Sequence, residues 1–336
     1  MVSHGVPRPS APALPKSSAA QAKERAQIEK YRSLEDSVRQ RMRDKDFSHE
    51  TYTLILALLG MNPEYYTVWN WRRILLGDYF TKEAGKNGVL SEGCTEGQKE
   101  ISLLINEDLQ STLPLLKQTP KCYWIWNHRL WLLRTATEML PSQMAAALWE
   151  TELGLVGKML SLDNRNFHGW GYRRLAVAEL EKLRDTSMTE SEWAYTTDMV
   201  KRDLSNFSAW HRRSELLPKV ISDRGDDKRN EILEKEFEWV TTALWTDPAD
   251  QSLWFYHSFL LDFVGPDKQE DHHFVKKELD NLREMKDEGE MSKYLFLALL
   301  QCCDLQGHVE EDERREWITT LQKIDPLRKG RWDDMQ

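Results

Sequence analysis

The sequence predicts an all-α protein: an α-hairpin repeat solenoid, with helix pairs stacked into a crescent-shaped, right-handed superhelix. Three observations predict it. Tryptophan, at 14 of 336 residues, recurs at a period. The stretches between the recurring tryptophans carry apolar residues at three- and four-residue intervals, the spacing of one buried helix face. No stretch of strand-type alternation survives the same count.

The elements follow in order. The chain opens on a Pro/Ala/Ser-rich run to about residue 20, read as a flexible tail, and continues as a charged helix from about Gln21 to Lys45. Residues 21–336 are read as one helical-repeat domain. Five segments align on one tryptophan each, Trp69, Trp126, Trp170, Trp210 and Trp254, with spacings of 57, 44, 40 and 44. Turn residues precede each anchor, and four anchors have an aromatic three positions ahead: Tyr66, Tyr123, Phe167 and Phe207. The pattern starts a helix near each anchor and places aromatic and tryptophan on one face, one turn apart. Three positions after the anchors stand Arg72, Arg129, Arg173 and Arg213, then His257. Second helices fill the intervals, at Lys99–Lys117, Ser142–Ser161, Thr189–Asp203 and Lys228–Leu244. Two helices per 40–44 residues exceed the tetratricopeptide period of about 34 and fit solenoids of about 40–47, in which each layer supports the next. Two segments are read as loops interrupting the array: Thr81–Glu96, rich in Gly and charge, and the very polar Gly265–Asp287. A cut-short copy closes the chain. Trp317 and Trp332 are 15 apart, as are Trp239 and Trp254, with Asp325-Pro326 at the offset of Asp247-Pro248.

Composition excludes several function classes. Lys and Arg number 46 against 55 Asp and Glu, a formal charge of −9. Sequence-independent nucleic-acid binding needs clustered cations and is not expected. Four cysteines without C-x-x-C spacing point to reduced thiols and a cytoplasmic location. No run of 18 or more apolar residues predicts a transmembrane helix, and the N-terminus lacks the apolar core of a signal peptide. Dinucleotide, P-loop, zinc-protease and serine-hydrolase motifs are absent, and no trio of His and Cys shows zinc-ligand spacing.

Two residues break the periodic pattern. Lys121 lies five positions before Trp126, where the other copies have Glu64, Arg165, Ser205 and Ala249. A cation at a helix N-terminus opposes the macrodipole by roughly 0.3–1 kcal/mol. A bound anion, to which backbone N–H groups and the lysine converge, accounts for it; a solvated lysine is the plain alternative. His168, two positions before Trp170, stands where other copies have Thr67, Trp124, Ser208 and Ser252. Stacked repeats put Lys121 and His168 on adjacent layers of one ridge. The arginines three after each anchor are read as structural, in cation–π and ion-pair contacts. The anchors themselves are read as core. Nothing marks Cys122 as a low-pKa nucleophile.

The repeated aromatic-x-x-Trp-x-x-Arg unit resembles the α subunits of protein prenyltransferases. The likeness covers about residues 50–262 and the Trp317–Trp332 unit. The wording LGMNPEYYTVWNWRR, NFHGWGYRR, LSNFSAWHRRSELLP and TDPADQSLWFYH is most similar to the type II, Rab-modifying geranylgeranyltransferases. The short plan, without room for immunoglobulin-like and leucine-rich domains after the repeats, looks like the fungal form.

The resemblance implies a heterodimer in which this chain wraps a prenyltransferase β subunit. That partner is expected to hold the catalytic zinc and most of the isoprenoid pocket, so that this chain alone is inactive. Geranylgeranyl diphosphate is then transferred to C-terminal cysteines of Rab GTPases presented by a Rab escort protein. The matching Pro-Lys-x-Tyr motif implies that Lys121 touches the diphosphate and that Tyr123 adds a hydroxyl donor; a core tyrosine is the alternative. The Asn-aromatic-His-x-Trp motif implies that His168 lies near the diphosphate and the peptide substrate. Phe167 replaces the tyrosine common at that position, so a hydroxyl contact is lost. His4, in the early tail, is a candidate temporary ligand of the partner's zinc. The α subunit shared by farnesyltransferase and the type I enzyme, and a non-catalytic helical scaffold, are the competing readings.

Overall fold

In a computed structural model of the chain, the described residues are 17–86, 88–90, 93–265, 271–306 and 311–335. They form two compact units, one up to Thr186 and one from Ser187 onward. The first holds α1 (Ser18–Arg43), α2 (His49–Met61), α3 (Tyr66–Ala84), α4 (Glu96–Gln118), α5 (Tyr123–Met139), α6 (Ser142–Leu162) and α7 (Phe167–Arg184). The second holds α8 (Thr189–Arg202), α9 (Phe207–Arg224), α10 (Arg229–Thr246), α11 (Gln251–Val264), α12 (His272–Asp287), α13 (Lys293–Gln306), α14 (Glu311–Ile324) and α15 (Lys329–Asp333). Among the described residues there is no strand, only an isolated bridge between Val89 and Thr95. The protein is an all-α helical-repeat protein.

Local chemistry starts the helices where they start. Ser17 and Ser48 accept from backbone N–H groups of α1 and α2. Thr95 and Gln98 form a reciprocal capping box on α4, and Asn166, Asn206 and Asp250 cap α7, α9 and α11. Such caps satisfy N–H groups that a helix end leaves without a partner.

Each anchor tryptophan is buried, between 0% and 4% exposed. Each indole N–H also has the same acceptor, the carbonyl six residues upstream. Trp69 donates to Pro63 (2.8 Å), Trp126 to Pro120 (2.9 Å), Trp170 to Asn164 (2.8 Å), Trp210 to Leu204 (2.8 Å) and Trp254 to Pro248 (2.8 Å). One side chain therefore fills the core and ties the preceding turn onto its helix. Trp332 repeats the device on Asp325 at 3.0 Å, which makes the closing copy a working layer.

Three of the arginines three after the anchors, Arg72, Arg129 and Arg213, grip carboxylates on the second helices. Arg129 makes two 2.6 Å bonds to Glu152, and Arg213 two 2.6 Å bonds to Glu236. Arg72 pairs with Asp108, and His257 stands 3.1 Å from Glu278. The following layer then donates to the same carboxylate from two positions after its own anchor. His128 reaches Asp108 at 2.5 Å, Tyr172 reaches Glu152 at 3.0 Å, and Tyr256 reaches Glu236 at 2.6 Å. A buried charge is tolerated when its remaining lone pairs are filled, and here two layers share the filling.

Three expectations change. The aromatics three before the anchors are exposed (Tyr66 55%, Tyr123 54%, Phe167 79%, Phe207 45%) while the tryptophans are buried. Each is the first residue of its helix. A helical side chain leans over the turn N-terminal to its own Cα, and the first residue has no such turn to cover. The segment from Gly265 to Asp287 is not a loop throughout, because α12 occupies His272–Asp287. Its Phe274, Val275, Glu278, Leu279, Leu282 and Met285 are buried at helical spacing, and the polar residues other than Glu278 lie mainly on the other face. Finally, α1 begins at Ser18, inside the run read as tail. Residues 266–270 lie outside the described part.

Candidate functional site

The helix starts of α3, α5 and α7 carry the residues that sequence pattern singles out. Tyr123 is the first residue of α5, Lys121 sits in the turn before it, and His168 is the second residue of α7. Ring contacts run across the three starts. Tyr66 lies 5.5 Å from Trp124, Trp124 5.8 Å from Tyr123, Tyr123 5.7 Å from His168, and His168 5.7 Å from Phe167. Tyr123 and His168 are thus brought together directly, with Tyr123, Tyr66 and Phe167 open to solvent.

Lys121 joins this face through the turn. Its side chain is 42% exposed, and Nζ lies 3.7 Å from Asp163 at the end of α6. A carboxylate of the chain itself therefore offsets the lysine charge that the helix N-terminus disfavours. The turn is held from both sides. The Cys122 thiol donates to the Pro63 carbonyl at 3.2 Å, and Asn166 Nδ2 donates to the Pro120 carbonyl at 3.3 Å.

Electrostatics separate the roles these groups can take. Burial lowers the His168 pKa, with nearby Glu64 pulling the other way, so the imidazole is neutral near pH 7. It offers one donor and one acceptor rather than a charge. Burial raises the Cys122 thiol, against opposing backbone N–H groups of Ile125 and Trp124. It is a packed thiol, not a thiolate nucleophile. The face therefore combines a half-exposed cation, a phenol and a neutral imidazole beside exposed rings. That set can bind and neutralise an anionic group; it contains no activated nucleophile.

Among the described residues no group of three or more His, Cys, Asp or Glu is placed to hold a metal ion. His4 lies outside the described residues.

Three features of the site escape sequence reasoning. Trp124 reads along the chain as filling between layers, yet it is half-buried and links Tyr66 to Tyr123. Asp163 and Glu64 sit seven and five positions before their anchors, in turns where acidic residues are ordinary. Asp163 shares its offset with Asp203, Asp247 and Asp325, which marks a turn and not a lysine partner, and no spacing signal marks Glu64.

Comparison with known proteins matches five Protein prenyltransferase alpha subunit repeats to residues 48–79, 105–136, 149–180, 189–220 and 233–264. Each begins on a second helix and ends on the anchor helix that follows it. The geranylgeranyl transferase type-2 subunit alpha of Candida albicans is 32% identical over 93% of this chain and 92% of that protein.

The chain belongs to the protein prenyltransferase α subunit family.

Within the family its likeness is to the type-2 α subunits. The Schizosaccharomyces pombe protein of that name is 32% identical over 94% of this chain and 92% of its own length. The Homo sapiens protein is 34% identical over 70% of this chain and 38% of its own length. A chain of the solved Candida albicans protein geranylgeranyltransferase-I complexed with GGPP shares the fold, with a TM-score of 0.67 and 19% identity. The match covers 91% of this chain and 89% of that one. In this prenyltransferase α subunit, no helix of the described residues is long and apolar enough to cross a membrane.

Proposed function

We propose that this chain is the α subunit of a heterodimeric Rab geranylgeranyltransferase, active only with a prenyltransferase β subunit. The enzyme transfers the geranylgeranyl group of geranylgeranyl diphosphate to C-terminal cysteines of Rab GTPases presented by a Rab escort protein, in the cytoplasm. The observation that supports the reading best is the convergence of Lys121, Tyr123 and His168 on successive helix starts. Full-length likeness to type-2 subunits favours it over the α subunit shared by farnesyltransferase and the type I enzyme.

In this mechanism zinc, held by the β subunit, lowers the pKa of the acceptor thiol. The residues of this chain serve the leaving group. Lys121 swings from Asp163 to the diphosphate and neutralises charge that grows as the carbon–oxygen bond breaks. Charged hydrogen bonds of this kind are worth about 1.5–3 kcal/mol. Tyr123 donates its hydroxyl to a phosphate oxygen, and neutral His168 orients the same group. The exposed rings keep water from the reacting end.

Co-purification with a β subunit, followed by tritiated geranylgeranyl diphosphate, tests the assignment. Label is expected on a Rab–escort complex and not on a CaaX peptide; the reverse pattern overturns it. Lys121→Ala is expected to slow single-turnover transfer by tens-fold while the heterodimer still assembles, and a wild-type rate removes Lys121 from the site. We further propose His4 as a temporary ligand of the partner's zinc. Deleting residues 1–8 is expected to change the absorption spectrum of a cobalt-substituted heterodimer before substrate is added; an unchanged spectrum rules the role out.

A further inference from the structure

Lys121 and His168 stand on different elements, and one buried side chain joins those elements. Asn166 is 3% exposed. Its Oδ1 accepts from the Gly169 backbone N–H at 3.0 Å and so caps α7, whose second residue is His168. Its Nδ2 donates at 3.3 Å to the carbonyl of Pro120, the residue before Lys121. That carbonyl also accepts from Trp126 at 2.9 Å, so both of its lone pairs are used. The peptide plane that launches Lys121 is thereby fixed relative to the helix start that presents His168.

The corresponding positions in other layers, four before each anchor, do this in part. Cys122 reaches back to Pro63 without capping a helix. Asp250 caps α11 and accepts from Ser205 Oγ in the preceding turn, but as a carboxylate it cannot donate to a carbonyl. Asn206 is buried and caps α9 through Ala209 N–H at 3.1 Å. Asn166 combines a cap on its own helix with a hydrogen bond to the carbonyl of the turn that carries Lys121.

We infer that Asn166 is a positioning residue for prenyl transfer: it acts through Lys121, setting the distance between the lysine and the α7 start. The inference rests on the proposed diphosphate role of Lys121. Reacting groups misplaced by about 1 Å can lose on the order of a hundredfold in rate, so loss of one tether from a turn that Cys122 still holds is expected to cost about tenfold.

The heterodimer tests it. Asn166→Ser keeps a capping oxygen and removes the reach to Pro120, and Asn206→Ser is the matched control. In single-turnover transfer to a Rab–escort complex, Asn166→Ser is expected to be about tenfold slow with KM within twofold, and Asn206→Ser to run at the wild-type rate. In a Lys121→Ala background, Asn166→Ser is expected to cost less than twofold more. Equal losses in both serine variants, or a full tenfold loss added to Lys121→Ala, overturn the inference, since a general capping effect does not depend on Lys121. A slow Lys121→Ala with a normal Asn166→Ser overturns the inference alone; a normal Lys121→Ala overturns the reading on which it rests. Should Asn166→Ser fail to assemble, Asn166→Asp, which also caps but cannot donate, takes its place with the same expected rates and the same overturning results.

Discussion

His128 shows how much one side chain can carry in a layered fold. It is wholly buried, lies tilted 4.9 Å from the Trp69 ring, and has Nε2 at 2.5 Å from Asp108 while Nδ1 has no hydrogen-bond partner. A protonated ring would bury an unmatched N–H on Nδ1, whereas a neutral ring donating through Nε2 leaves only an acceptor unused. Burial accordingly lowers the His128 pKa, with Asp108 opposing. Asp108 would be raised by burial, but Arg72 and His128 hold its carboxyl well below the usual range. Since the folded His128 value lies below the unfolded one of about 6.5, the unfolded chain binds the proton that the folded chain refuses. Stability is therefore full above about pH 6.5 and is lost as pH falls toward the folded value. Urea midpoints taken from about pH 7.5 to about pH 5.5 are expected to drop, and to drop less in His128→Asn; an equal drop in the variant removes His128 as the source. At this scale Lys121 and His168 were legible because they depart from a pattern. Asp163 and Asn166 were not, because their importance lies in whom they touch across layers.

At the scale of the helix, the repeat is a pair of devices: a tryptophan that closes the turn before its helix, and an arginine that grips a carboxylate on the second helix. The second device is sensitive to partial removal. Arg129 and Glu152 are each about 2% exposed, and Tyr172 from the next anchor helix donates to the same carboxylate. Arg129→Met leaves Glu152 buried without its cation, which is expected to cost about 3–5 kcal/mol. Arg129→Met with Glu152→Leu removes both charges and is expected to recover most of that loss, read as denaturant midpoints of the two variants. A double variant no better than the single one overturns the charge argument. The arginine series was legible as structural, since a chain of charge −9 has no reason to expose a cationic stripe. The carboxylate partners left a signal in the chain that the anchor pattern does not include: Asp108, Glu152 and Glu236 each stand 18 positions before the following anchor. α12 was hidden because its charged outer face outweighs six buried positions when polarity alone is counted. α13 lacks an anchor tryptophan, so the period passes over it.

For the whole molecule, the acidic balance and the proposed local anion site coexist without conflict. A single lysine paired with Asp163 at 3.7 Å needs no basic surface around it. By itself the sequence determined the class and the layer period, because a buried indole and its turn recur at fixed offsets, and it singled out candidate residues because those that break the rule can be counted along a line. Only the tertiary structure decided which face those residues share, that the leading aromatics point to solvent, and which side chains hold the turn. Those outcomes depend on contacts between residues some 40–60 positions apart, such as Asn166 with Pro120 and Cys122 with Pro63. Contacts of that range are made when one layer closes on another, and no local pattern in the chain encodes them.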